Sequence, residues 1–387
     1  MNEEELAING GEPVYGGEFP AWPRFTRGAV RRASAVLESG RVNYWSGGEG
    51  VEFERAFAAW AGVKNAVSTS SGTAALHLAL EALGVGRGDE VICTPYSFRA
   101  SATCVRNAGA TPVFADVGCD HMLNAETVAR AITKRTKAVV VVHLYGQVAE
   151  MGPLLALAKR RGLRVVEDCA QCLGGEYRGR RTGTLGDAGC FSFCHTKHIT
   201  TGGEGGMVCC ADDAVADAVR SLRDHGWKVG TEPKAFDRTG YNFRMTEVQS
   251  ALGAAELGRL DGWNLPRRWR LAAALRAALA GHPLVRIAPV DTEERRASFW
   301  LVPFVLDAGR LRCTVGEFIE AVQAEGVGAY RILWPLMADR PVAASLAADT
   351  IGFWVHPVYT MRHIAADVKA FRKVAAAMMK GGVRGGS

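Results

Sequence analysis

Between residues 51 and 210 the chain alternates short runs rich in Val, Ile, Ala and Cys with longer stretches whose apolar residues recur every three or four positions. A strand buried on both faces needs a continuous apolar run, and a helix lying over it needs one apolar face. The alternation is therefore that of a mostly parallel sheet flanked by helices, an α/β fold. Strands are expected at 66–69, 90–94, 112–115, 138–144, 164–167, 190–193 and 206–210. In such sheets ligands collect where the strands end at their carboxyl side. The polar and charged residues of interest all fall there.

The rest of the chain frames this region. Residues 1–25 carry Pro13, Pro20 and Pro23 among several glycines and read as an extended arm, lying on the body or on a neighbouring subunit. A helical pattern follows at 26–38 and stops at Gly40. The loop RVNYWSGGEG, 41–50, holds Tyr44 and Trp45, which serve either as an apolar anchor or as an aromatic wall over a bound sugar or ring. Beyond residue 260 the pattern weakens to helices at 266–281, 314–325 and 364–379 and an apolar strand at 300–306, the outline of a smaller α+β lobe. The expected division is arm 1–25, large domain 26–258 and small domain 259–387.

The totals exclude several classes. A chain of 387 residues, 48% of them hydrophobic, can build two lobes with a substantial core. Its net charge of +6 is scattered without a basic tract, which suits phosphorylated small molecules and argues against nucleic acid. No apolar run approaches the roughly 18 residues needed to span a bilayer. The polar opening MNEEELAINGGEP lacks a secretory pattern, so a cytoplasmic location is expected. Cys93, Cys104, Cys190, Cys194, Cys209 and Cys210 sit in apolar runs and should behave as small buried hydrophobes. Cys169 and Cys172 have the spacing of a redox or half-zinc motif, but no second such pair follows, and no metal is expected.

The chemistry centres on FSFCHTKHITTGGEGGMV, 191–208. Its Lys197 has small, apolar or uncharged neighbours, with Glu204 the one acid. An ordinary lysine is protonated and a poor nucleophile, but desolvation in such a turn lowers its pKa and readies it to condense with a carbonyl. Alone, such a lysine is a solvated surface charge; the other strand ends supply what gives it meaning. In STSSGTAALHLALEALG, 68–84, Ser70 and Ser71 can cap a helix, Gly72 lets backbone N–H groups approach an anion, and Thr73 adds a hydroxyl. This is either a phosphate turn or an ordinary capped helix, with His77 structural.

In CTPYSFRAS, 93–101, Phe98 or Tyr96 can stack on a flat ring, and Arg99 can meet a substrate carboxylate or phosphate. His143 is either a core histidine or the holder of an Asp on the next strand. In LRVVEDCAQC, 163–172, alternation sends Glu167 and Asp168 to opposite faces, so one of them points at the site. Asp168 is assigned to keep a pyridine nitrogen protonated, Gln171 to donate to a ring oxygen, and Ser192 to add a phosphate contact. Phosphate turn, ring stacker, acid and lysine are the parts of a pyridoxal 5′-phosphate (PLP) site. In GYNFRMTEVQSALG, 240–253, Thr246 and Gln249 form a capping box that starts a helix near 247, and the loop before it offers Asn242 and Arg244 to an anion.

SSGTAALHLALEALGVGRGDEVICTP, AGATPVFADV, VVHLYGQVAEM, VVEDCAQCLGGEYRGRRTGTLGDAGCFSF, TKHITTGGEGGMV and GYNFRMTEVQSALGAAEL resemble segments of the DegT/StrS-type sugar aminotransferases and cover most of residues 40–260. The resemblance implies the fold type I of PLP-dependent transferases and a homodimer with shared active sites, Asn242 reaching the neighbouring subunit's PLP phosphate. It also implies transfer of an amino group from glutamate or glutamine to a keto-sugar, nucleotide-linked, or a keto-cyclitol, in amino-sugar, aminoglycoside or other secondary-metabolite biosynthesis. Relatives with histidine at the position of Lys197 dehydrate their substrates; Lys197 speaks against that branch. A PLP-dependent dehydratase or aromatising synthase using the same lysine is the alternative, and a non-catalytic PLP-binding regulator a further one. The opening EFPAWPRF, 18–25, is more similar to the cyclitol and aminated-aromatic-ring branches. Residues 330–347 depart from the family's substrate loop in length and in lacking its histidine; Arg331 and Trp334 are the candidates there for a substrate carboxylate.

Overall fold

In the computed structural model the described residues are 3–231, 235–236, 238–331 and 340–380. The strands run in chain order as β1 (Asn65–Thr69), β2 (Glu90–Cys93), β3 (Thr111–Phe114), β4 (Thr136–Val142), β5 (Arg164–Asp168), β6 (Glu176–Tyr177), β7 (Arg180–Arg181), β8 (Ala188–Ser192) and β9 (Gly206–Cys210). They continue as β10 (Val285–Ile287), β11 (Arg295–Arg296), β12 (Leu301–Leu306), β13 (Ala329–Arg331) and β14 (Thr350–Trp354). Seven of them form the central sheet, in the order β1-β9-β8-β5-β4-β2-β3. β9 is antiparallel to both neighbours, and the remaining pairings are parallel.

β4 shows why the apolar runs are continuous. Ala138 and Val140 pack with Leu76, Leu80 and Val105 on one side of the sheet. Val139 and Val141 pack with Leu154, Leu157 and Leu163 on the other. From Ala138 to Val142 both faces are covered, so every position there is apolar; only Thr136 and Lys137, at the open end of the strand, are polar.

All seven expected strands occur; β9 keeps its expected bounds and the other six have shifted ends. β4 stops at Val142 because His143 leaves extended geometry and Tyr145 takes a φ of 63°. β8 starts two residues earlier than expected, at Ala188-Gly189. Glycine is a poor strand former, but a Cβ at Gly189 would lie 2.1 Å from the Gly183 carbonyl oxygen, so the close crossing demands it. The short strands β6, β7 and β11 form a ribbon that the sequence did not announce.

A second sheet, β10-β12-β14-β13, forms the smaller lobe with helices Leu265–Leu279, Val315–Ala324 and Met361–Met378. The arm lies on this lobe of its own chain. Leu6 is fully buried in the lobe's core, the N–H groups of Ala7 and Val14 donate to the Glu325 carboxylate at 3.0 Å, and Tyr15 and Phe19 pack on His363. Within 330–347, the helix Pro341–Asp349 replaces the expected loop at its far end; Trp334 lies outside the described residues. No helix among the described residues is long and apolar enough to cross a membrane.

Candidate active site

Because β9 alone is reversed, the carboxyl ends of β1, β2, β4, β5 and β8 and the amino end of β9 share one edge of the sheet. A cavity of about 570 Å3 opens along that edge. Eight of the residues expected from the sequence line it: Ser71, Gly72, Thr73, Phe98, Asp168, Gln171, Ser192 and Lys197. Larger grooves of about 890 and 810 Å3 lie between the arm and the helices of the small lobe and beside β3, and neither is lined by the residues expected of the site.

The turn after β1 is built for an anion. Ser71 caps the helix Gly72–Ala82, its Oγ accepting from Ala74 N at 3.1 Å, so the free N–H groups of the first turn face the cavity mouth. A Cβ at Gly72 would sit 2.7 Å from Ser192 Cβ, so glycine is what allows the hydroxyl at the end of β8 to close the cradle. Phe98, at the next strand end, is 56% exposed and has a free face, whereas Tyr96 is fully buried and bonded to the Tyr145 hydroxyl. Gln171 Oε1 accepts from Tyr145 N at 2.9 Å, which orients its amide in the cavity wall.

Asp168 accepts from Ser101 Oγ at 2.7 Å and from Ala170 N at 3.1 Å. Burial pushes its carboxyl above the ordinary aspartate value, against the pull of those two donors and of Lys197. Enclosure lowers Lys197 to about 8, although Asp168, Cys194 and Glu204 pull the other way. The Lys197 ammonium stands 4.2 Å from the centroid of the Trp300 ring. The free amine is the nucleophile, so covalent uptake of PLP by cofactor-free protein should accelerate as pH rises and level off above about 8. Stopped-flow absorbance checks this; a rate still climbing steeply near pH 10 would mean an ordinary, solvated lysine.

His143 does not hold Asp168. Its Nε2 meets Glu167 Oε2 at 2.9 Å, while its Nδ1 accepts from Ala149 N at 3.1 Å, which leaves the ring proton on Nε2. Glu167, on the opposite face of β5 from Asp168, also accepts from the N–H groups of Gly183, Leu185 and Gly186. Burial would raise this carboxyl, yet the bonds from His143 and the backbone hold it below the usual range. Glu167 thus ties the loop after β7 to the sheet. His143, Glu167 and Cys169 place ligand atoms within 4.8 Å of one another, but both nitrogens and both carboxylate oxygens are already engaged.

Other expected residues lie apart from the cavity of their own chain. Tyr44 donates to Glu54 and lies under the Arg223 guanidinium, an anchoring role. Trp45 is exposed and packs on Trp227. Arg99 immediately precedes the helix Ala100–Asn107, its side chain making no capping bond, and is exposed. Arg331 alternates with Tyr330 on β13, so the tyrosine faces the cavity and the arginine turns toward Gly316. Asn242 is exposed ahead of the helix Glu247–Leu257, and Arg244 is paired with Asp224. Sequence reasoning missed Ser101 as the support of Asp168, and missed Trp300, Tyr330 and Trp354, which form the wall supplied by the small lobe.

An amine that releases its proton near neutral pH serves to capture a carbonyl, and a buried acid on the same cavity serves to keep a pyridine nitrogen protonated. On a mostly parallel seven-stranded sheet the pair marks the class of PLP-dependent α/β enzymes.

The chain belongs to the DegT/DnrJ/EryC1/StrS aminotransferase family, whose profile matches residues 26–351. It is an aminotransferase, and PLP is its cofactor. The chain is 41% identical over 307 residues to the GDP-perosamine synthase of Caulobacter vibrioides, covering 78% of this chain and 80% of that one. It is 45% identical over 290 residues to the L-glutamine:2-deoxy-scyllo-inosose aminotransferase of Streptomyces paromomycinus, covering 71% and 68%. Among solved structures, an aminotransferase from Psychrobacter cryohalolentis superposes with a TM-score of 0.88 at 34% identity, over 92% of this chain and 99% of that one.

Proposed function

We propose that this enzyme moves an amino group from glutamate or glutamine to the ketone of a nucleotide-linked sugar or of a cyclitol, in amino-sugar or antibiotic biosynthesis. The observation that carries the reading is the single cavity that Lys197 and Asp168 share with the Ser71-Gly72-Thr73 turn. The remaining walls suit a polyhydroxylated ring: Trp300, Tyr330 and Trp354 offer flat faces, and Ser97 and Thr196 offer hydroxyls. The sugar and cyclitol aminotransferases among the relatives support the same substrate class.

PLP, when bound, supplies an electron sink for the charge that develops when a proton leaves the carbon bearing the nitrogen. The protein does the rest. Ser71, Gly72, Thr73 and Ser192 would hold the phosphate, Phe98 would lie against the ring, and Gln171 would donate to its phenolic oxygen. Asp168 would hold a proton at the ring nitrogen. With PLP in place, Lys197 would take the proton from the donor's α-carbon and pass it to the cofactor carbon joined to the same nitrogen, and for the ketone acceptor it would move the proton the opposite way. Protein loaded with pyridoxamine phosphate and offered candidate ketones should aminate one of them, and glutamine or glutamate should then restore the starting spectrum with release of a 2-oxo acid. Water loss from the ketone without any amino donor would instead identify the dehydratase.

The site is best completed by a second copy of the chain. Lys197 is the one basic side chain among the described residues lining the cavity, so a phosphate dianion there lacks a full set of partners. Asn242 is exposed and free to reach a neighbour, and Trp45 and Phe236 present rings to solvent at 52% and 65% exposure. In a two-fold dimer with shared sites, mixing inactive Lys197→Ala and inactive Asn242→Asp subunits leaves one intact site per heterodimer. Random mixing in equal amounts should therefore recover about one quarter of wild-type activity. No recovery in verified heterodimers would refute sharing. The free state of all ten cysteines supports a cytoplasmic location.

A further inference from the structure

The backbone that carries Lys197 is gripped at three successive carbonyls by side chains from three distant segments. Trp300 Nε1 donates to Thr196 O at 2.8 Å, Trp22 Nε1 to Lys197 O at 2.9 Å, and Asn264 Nδ2 to His198 O at 2.5 Å. The grip is itself braced. Arg268, fully buried, donates through Nε to Asn264 Oδ1 at 2.8 Å and through Nη1 to the carbonyls of Phe299 and Trp300 at 3.2 Å each. Phe299 takes a φ of 51°, and this kink, held by Arg268, presents the Trp300 indole to the lysine. The ring lies 4.2 Å from Nζ and packs edge-on against Trp354.

We propose that Trp300 is a positioning residue for Lys197: Nε1 fixes the turn beneath the lysine, and the ring face holds its ammonium over the cavity, with Trp22 and Asn264 bracing the next two carbonyls. This rests on Lys197 being the residue joined to PLP. After displacement by the donor amine the lysine has no covalent tether, yet it must stay aimed and must accept a proton. A fixed backbone answers the first need. The ring answers the second, since an aromatic face favours the cationic form that burial disfavours. The other groups acting on this amine are Asp168 from β5, Cys194 and Glu204 from its own turn, and the adjacent His198. Trp22 gives the arm a part in the same arrangement.

The two functions of Trp300 separate by substitution. Trp300→Leu removes ring and anchor; the pH midpoint of covalent PLP uptake by cofactor-free protein should fall by about one unit. Trp300→Phe keeps a ring and loses Nε1, so the midpoint should stay at the wild-type value while kcat drops about tenfold with KM for the donor little changed. Trp22→Phe should lower kcat in the same manner. An unmoved midpoint in Trp300→Leu, or undiminished kcat in Trp300→Phe, would overturn the proposal. If Trp300→Leu does not fold, the kcat of Trp300→Phe decides. Covalent uptake by Lys197→Ala would instead defeat the assignment of the lysine, leaving the clamp a structural brace alone.

Discussion

Lys197→Ala should reduce transamination by about 10³-fold or more, because one side chain both captures the cofactor and carries the proton. The visible band of covalently held PLP should vanish with it, and retained turnover would end the assignment. The fold should not suffer. A desolvated amine is a burden on the native state, and its removal has a signature in pH. The folded protein releases the Lys197 proton near 8 whereas an unfolded chain keeps it to about 10.5. Between those values the unfolded state binds more protons, so the stability of cofactor-free wild type rises with pH through that window. Thermal or denaturant unfolding of Lys197→Ala should lack that rise.

Asp168→Asn should slow turnover by on the order of 10²–10³-fold, the scale seen when one preorganised electrostatic contact is taken from an active site. The amide keeps the shape of the carboxylate: its oxygen can still accept from the Ala170 N–H, and its NH2 can donate to the Ser101 hydroxyl oxygen in place of the bond now accepted, so PLP should still be taken up. It cannot supply the negative charge that holds a proton on a pyridine nitrogen. The two readouts should therefore part company, with cofactor occupancy near normal and proton removal from the donor slow, as a deuterated donor would reveal. Near-normal rates would remove Asp168 from the chemistry.

Strand ends were the most legible part of this molecule. A strand covered on both faces has to be apolar throughout, so its polar terminus stands out, and the residues at 71–73, 168, 192 and 197 were found that way. Two kinds of feature escaped. One was side-chain choice where the backbone turns: nothing in VVHLYGQV tells that Tyr145 adopts a positive φ and that Ala149 N–H fixes the ring of His143 toward Glu167 rather than Asp168. The other was contact between remote segments. Trp300 and Trp354 sit at opposite ends of β12 and β14, and their antiparallel register pairs Leu301 with Trp354, which sets both indoles at one cavity. No local pattern announces such a register. Arg99 and Arg331 stand outside the cavity of their own chain for a related reason, since a cation in an apolar sequence can reach solvent by a single turn of the backbone. Gly72 was legible as an anion turn but not as a close crossing, and Gly189 not at all, because the partner atoms come from Ser192 and Gly183.

The lysine rides on a hairpin between β8 and β9, both interior strands of the large sheet, while the indole and phenol wall opposite it belongs to β12, β13, β14 and their connections. Reactive groups and contact surface are thus encoded in separate stretches of chain. A lineage can exchange the second stretch by recombination or insertion and meet new ketones without disturbing proton transfer. For an engineer the same partition makes residues 300–354 the natural place to graft a foreign specificity, on condition that position 300 remains an indole.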